Sequence, residues 1–290
     1  MNTKNNLYAH YRIFKIERTT KMKDKNTEKK QFATPKQYAI SSLIIVMIVF
    51  LLATVMSTMF IEDKYASRIG MLAGGITAVI MYLIPNKTLD LKGKIKTFDI
   101  TVPLMIFLLN WTGSEIVGSA YGMIASRFSS IKMDTTDFSS VIAVVGAVAI
   151  APVCEELMFR LCGIGLMKKC FGKAFTFLLP TVLFALLHFY SLQGIIKVFT
   201  GAIFYAICYY YTENILYSIM AHMLHNALAI PVFFDNLRDI NNGYAIMRPL
   251  PLAIYILLFA AGMFWLIRVF MKKYGDSDSK MANDNETVTC

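Results

Sequence analysis

Glu155 and Glu156 stand side by side within Ala151–Arg160, APVCEELMFR, which closes a long apolar run starting near Val141. Arg160 follows four residues after the second glutamate, so Glu156 and Arg160 share a helix face while Glu155 points about a quarter-turn away. One carboxylate can therefore be held by the guanidinium while the other stays free to act as a base. An ionisable group at membrane depth costs roughly 2.5–3.5 kcal/mol on insertion scales and usually faces a protein interior or a wet cavity. Two more apolar segments carry polar residues of the same kind. TVLFALLHFY places Phe184 and His188 at i,i+4, and AHMLHNALAI places His222 and Asn226 at i,i+4, with His225 bordering their face. Three of the four histidines lie in these apolar runs, and the fourth, His10, lies in the basic N-terminal region.

This set suits water activation. A carboxylate beside a histidine can deprotonate a water, and a histidine with an amide can steady the oxyanion of a tetrahedral intermediate. Glu155, His188 and His222 are equally a zinc ligand set that leaves one coordination position for water. The HExxH spacing of soluble zinc proteases is absent. Spacing alone leaves metal and metal-free chemistry both open.

The ordered set EExxxR (Glu155, Glu156, Arg160), FxxxH (Phe184, His188) and HxxxN (His222, Asn226) resembles the CPBP family. That family covers type II CAAX prenyl endopeptidases and bacterial Abi proteins linked to bacteriocin self-immunity. The resemblance spans about residues 139–235 and all seven motif positions match. It implies an intramembrane endopeptidase that hydrolyses a peptide bond in a membrane-embedded cavity. Glu155 with His188 would activate water, Glu156 and Arg160 would hold the site, and His222 with Asn226 would stabilise the oxyanion. The implied chemistry uses either Zn2+ on Glu155, His188 and His222 or a metal-free glutamate mechanism. The implied partners are a peptide or membrane-protein substrate, a bacteriocin-like peptide among them, and the lipid bilayer. Two rival readings come from other classes: a non-proteolytic self-immunity or scaffold protein, and a proton-coupled transporter that uses glutamate and histidine as a relay.

The elements that must position these residues are helices. The chain has 290 residues, 56% hydrophobic and 17% charged, with a mean hydropathy of +0.52, too apolar for a soluble domain of this size. Eight apolar spans are expected, at Ile40–Ile61, Ile69–Pro85, Ile100–Ile124, Val141–Met167, Ala174–Tyr190, Ile195–Tyr211, Ile215–Phe234 and Leu250–Phe270. Backbone polar groups in lipid must be satisfied internally, so the fold class is an all-α polytopic membrane bundle of about eight transmembrane helices. The chain divides into a basic cytoplasmic tail (1–37), N-terminal transmembrane helices (38–138), a catalytic core (139–235), a last transmembrane helix (236–271) and a polar tail (272–290).

Residues 1–37 hold ten basic and three acidic side chains, a net charge of +7, and the tail has no nucleic-acid-binding motif. Lysines cluster after the second, fourth and eighth spans, while alternate linkers are near neutral. That alternation places both termini in the cytoplasm of a multi-pass cell-membrane protein. The five cysteines have no zinc-finger spacing and read as small apolar fillers. Counting along helices, Glu155 lies about 20 Å from Lys168, His188 about 22 Å from Lys173 and His222 about 13 Å from Glu213. The three groups can thus meet in one cavity. Span three also carries a polar run, Asn110–Glu115, expected to mark a short interruption near a helix bend or to line that cavity.

Overall fold

The computed structural model describes residues 34–61, 63–130, 140–188, 191–229 and 237–275. The expectations for residues 1–33 and 276–290, and for the span ends at Tyr190 and Phe234, lie outside them. The described residues form nine helices and one β-hairpin. In chain order the helices are α1 (Pro35–Thr58), α2 (Asp63–Asn86), α3 (Leu91–Lys96), α4 (Thr101–Ala125), α5 (Val141–Met167), α6 (Lys173–Leu186), α7 (Leu192–Thr212), α8 (Ile215–Leu228) and α9 (Pro249–Tyr274). The hairpin pairs β1 (Arg238–Asn241) with β2 (Tyr244–Met247) in antiparallel register, Arg238 opposite Met247 and Asn241 opposite Tyr244.

The protein is a multi-pass, all-α membrane bundle. Eight of its helices fall on the eight expected spans, but the count of eight crossings is not confirmed. Among the described residues five helices, α1, α2, α5, α7 and α9, are long and apolar enough to cross a membrane. Two others are too short: α6 and α8 have 14 residues each, about 21 Å at 1.5 Å per residue against a hydrocarbon core of about 30 Å. α6 ends at Leu186 and α8 at Leu228, while the expected span ends at Tyr190 and Phe234 lie outside the described residues. α4 is 25 residues long, and its polar run sits inside one unbroken helix, so the expected interruption is not there.

Lipid-facing and buried surfaces separate by helix. α1 and α9 present Leu52, Val55, Leu257 and Ile267 outward, as side chains do where lipid is as apolar as the core. α5 lies at the centre, with Met158, Phe159, Leu161, Cys162 and Ile164 almost fully buried. The pair Gly74–Gly75 on α2 allows it to approach. A Cβ at Gly75 would sit 3.2 Å from the Cys154 side chain, and one at Gly74 would sit 2.5 Å from Met158 Sδ. Small residues at a helix crossing let backbones close in this way.

The hairpin has a local cause. Asn242 and Gly243 join its strands with φ of 50° and 85°. Two consecutive left-handed residues make the mirror-image turn whose twist suits a two-residue hairpin, and Asn-Gly is its preferred sequence. Met247 N–H donates to Ser119 Oγ at 3.0 Å and Asn242 Nδ2 to the Ser126 carbonyl at 2.7 Å. The hairpin is thereby fastened along the C-terminal half of α4.

Candidate active site

α5 is an α-helix interrupted by two π-helical stretches, Gly146–Ile150 and Leu157–Ile164, and the two glutamates lie on the short α-helical piece between them. Pro152 explains the first stretch. A proline ring inside a helix clashes with the carbonyl four residues back and has no N–H to offer. Widening the helix ahead of the ring moves that carbonyl aside, as π-bulges do at functional sites. In the widened register Ala151 N–H bonds to the Gly146 carbonyl. The next partner for Ala147 would be residue 152, a proline, so the Ala147 carbonyl is orphaned. Asn226 of α8 supplies the missing donor: its Nδ2 bonds to the Ala147 carbonyl at 2.9 Å.

From this anchored piece Glu155 and Glu156 meet α8. His222 Nδ1 lies 2.9 Å from Glu156 Oε1, and His222 Nε2 lies 3.7 Å from Glu155 Oε2. Carboxylates are acceptors, so the 2.9 Å contact puts a proton on Nδ1 and, in the neutral ring, leaves the Nε2 lone pair facing Glu155. Arg160 approaches the same Glu156 Oε1 to 3.2 Å with Nη1. That contact is an ion pair without hydrogen-bond alignment, since Nη1 and Glu156 Oε2 are both buried without a hydrogen-bond partner. Arg160 Nη2 donates to the Ala202 carbonyl of α7 at 3.0 Å. Glu156 and Arg160 are 0% and 1% exposed, so no water shell shares their charge and the pair must neutralise itself.

Aromatic rings enclose the cluster. The Arg160 guanidinium sits 4.7 Å over Phe184 and 5.4 Å over Tyr205. Tyr205 stacks on His222 at 5.0 Å, and Phe184 meets His222 edge-on at 5.8 Å. Such cation–π contacts gain most when the cation is desolvated, as here. Phe184 also touches His188 at 4.9 Å. His188 is not on a helical face, because α6 has already ended at Leu186. Its Nδ1 caps that end by bonding to the Phe184 carbonyl at 3.0 Å, one of the carbonyls a helix C-terminus leaves unpaired.

The structure thus brings Glu155, Glu156, Arg160 and His222 into direct contact. It ties Asn226 to the helix that carries the glutamates, and it joins His188 to them through the Phe184 ring. Among the described residues no three His, Cys, Asp or Glu side chains are gathered as a metal site. Of the zinc set expected on Glu155, His188 and His222, Glu155 and His222 lie side by side with Nε2 of His222 turned to the carboxylate and Nδ1 held by Glu156, as carboxylates hold metal-binding histidines, whereas His188 reaches them only through the Phe184 ring.

Sequence reasoning passed over three polar residues beside the site. Lys197 and Arg238 both contact Glu115 Oε1, at 2.6 and 2.7 Å. Gln193 Nε2 donates to the Gly118 and Ala245 carbonyls, each at 2.8 Å. A lysine one turn into an apolar span and an Asn-Gly pair in a linker were the available signals.

Residues 137–228 match the family model described as type II CAAX prenyl endopeptidase, Rce1-like. No curated protein and no solved structure matches the chain. The matched segment holds α5 to α8, the four helices that build the cluster.

Proposed function

We propose, from the match of residues 137–228 to the Rce1-like type II CAAX prenyl endopeptidase model, that this multi-pass membrane protein is an intramembrane endopeptidase whose base is Glu155. The observation that carries the reading is the single imidazole of His222 set between two buried carboxylates. Its Nδ1–H is committed to Glu156 at 2.9 Å, and its Nε2 lone pair faces Glu155 Oε2 at 3.7 Å. Two acceptors facing each other call for a shared proton donor, and a water molecule has two protons to give.

In the proposed reaction Glu155 takes a proton from that water while its oxygen bonds to the scissile carbonyl carbon. The carbonyl becomes an oxyanion, which a ring N–H of the neighbouring His188 would steady. The C–N bond then breaks and Glu155 returns the proton to the leaving nitrogen, giving a carboxylic acid and an amine. Glu156 and Arg160 hold His222 in one tautomer and one orientation, as the carboxylate of a catalytic triad holds its histidine. The substrate is a peptide or a membrane-protein segment, a bacteriocin-like peptide included.

Cleavage of a peptide library by the purified protein, read by mass spectrometry, tests this. General-base catalysis is worth about 10²–10⁴-fold, so Glu155→Gln should lower the rate by that factor while the protein still accumulates in membranes. Equal product from wild type and Glu155→Gln would sink the assignment. Loss of cleavage in both, with a retained bacteriocin-immunity phenotype, would favour a binding scaffold instead.

A further inference from the structure

Two cations share one oxygen at the edge of the site. Lys197 Nζ and Arg238 Nη2 both contact Glu115 Oε1, at 2.6 and 2.7 Å. Glu115 is 4% exposed, whereas the lysine and arginine side chains are each 24% exposed. Among the described residues these three groups leave one net positive charge, which an anion at the cluster would balance.

The cluster is built and rigid. The Lys197 stem crosses Gly118 in a notch that only glycine leaves open, since a Cβ there would lie 2.4 Å from Lys197 Cγ. Arg238 opens the first strand of the hairpin, whose turn and second strand are fastened to α4 and α7 through Asn242, Ser119 and Gln193. The cluster also adjoins the catalytic residues. Lys197 is five residues before Ala202, which receives Arg160, a separation of about 7.5 Å along the helix. One turn before Glu115 on α4, Trp111 meets His225 at 5.1 Å, and His225 lies between His222 and Asn226. His225 Nδ1 is buried without a hydrogen-bond partner.

Resting on the endopeptidase reading, we propose that Lys197 and Arg238 form a substrate subsite for a carboxylate of the peptide being cut. Each has N–H donors beyond the one given to Glu115. The arginine fork is matched to a carboxylate, and both side chains are partly exposed, so a peptide beside the catalytic cluster could meet them. Glu115 keeps the two cations together before substrate arrives, and the carboxylate would complete the charge balance.

The test uses the full-length protein in liposomes and pairs of otherwise identical fluorescent peptides. One pair ends in a free acid or an amide. The other carries an internal Glu or Gln. The subsite predicts that one acid member of a pair has a KM about 10-fold or more below its neutral twin, the gain of a charge-assisted hydrogen bond. The pair that discriminates identifies the source of the carboxylate. Lys197→Met and Gly118→Ala, which displaces the Lys197 stem, should each raise KM for that acid peptide about 10-fold, leave kcat within about threefold and spare the neutral twin. Equal KM values within both pairs on the wild type, or variants that weaken acid and neutral peptides alike, would reduce the cluster to a lock for the hairpin. If no peptide is cut, the endopeptidase reading fails. Fluorescence polarisation with the same peptides on Glu155→Gln protein then decides the subsite separately, equal affinity for acid and neutral members overturning it.

Discussion

Removing the Asn226 side chain separates two roles for that residue, one touching the reaction and one touching only the backbone of α5. In Asn226→Ala the Ala147 carbonyl loses its 2.9 Å donor, and Pro152 leaves it no partner within its own helix. Leaving a buried acceptor unpaired costs about 1–3 kcal/mol, and measured side-chain hydrogen bonds between membrane helices average about 0.6 kcal/mol. The contact is part-buried, so about 1–2 kcal/mol is expected, a factor of about 5–30 in the population holding the glutamates in place. Pro152→Ala restores an N–H at residue 152 and removes the ring that drives the π-helical register. The Ala147 carbonyl can then be satisfied by residue 152 in the wide register or by residue 151 in the normal one. The expected outcome is a coupled pair: peptide cleavage and detergent thermal stability fall in Asn226→Ala, and Pro152→Ala in the same chain recovers most of both. A double variant as inactive as Asn226→Ala, with stability restored, would refute the backbone role and return Asn226 to the oxyanion.

The remaining predictions concern the buried ion pair and the metal. Arg160→Met removes the guanidinium that neutralises Glu156, which is itself 0% exposed, and breaking a buried pair from one side costs about 3–5 kcal/mol. The yield of monodisperse protein after detergent extraction should fall sharply. Recovery in Arg160→Met with Glu156→Gln would confirm that the uncompensated carboxylate is the cause. Because His188 reaches Glu155 and His222 only through the Phe184 ring and, among the described residues, no three metal-type side chains gather, a strong chelator should leave the cleavage rate unchanged. A rate abolished by chelator and restored by added Zn2+ would instead require His188 to swing toward Glu155 and His222 Nε2, with His222 Nδ1–H still on Glu156.

The helical class and the residues of the cluster were legible in the sequence because burial of charge in lipid is so costly that it seldom occurs without a partner. Glu155, Glu156, Arg160 and His222 stand out on that ground alone. The length of the short helices was not legible, because apolarity continues past the points where Leu187 and Ala229 turn out of α6 and α8. Hydropathy measures what lipid or core tolerates, whereas a helix end is set by where its last carbonyls find donors. His188 is such a donor: its spacing from Phe184 suggested a shared helical face, yet the same spacing lets the ring fold back onto the Phe184 carbonyl after the helix has ended. The Asn226 contact was hidden for a related reason. The i,i+4 spacing of His222 and Asn226 says that both face one way, and nothing in it says that a proline on another helix has left a carbonyl there to be met. Pro152, three residues before Glu155, therefore does two things at once. It widens α5 so that the acidic pair sits on a short rigid piece between two bulges, and it creates the vacancy that ties this piece to the helix bearing His222. The two halves of the site are registered against each other by a missing N–H, which is why the proline and the asparagine should behave as one unit under mutation.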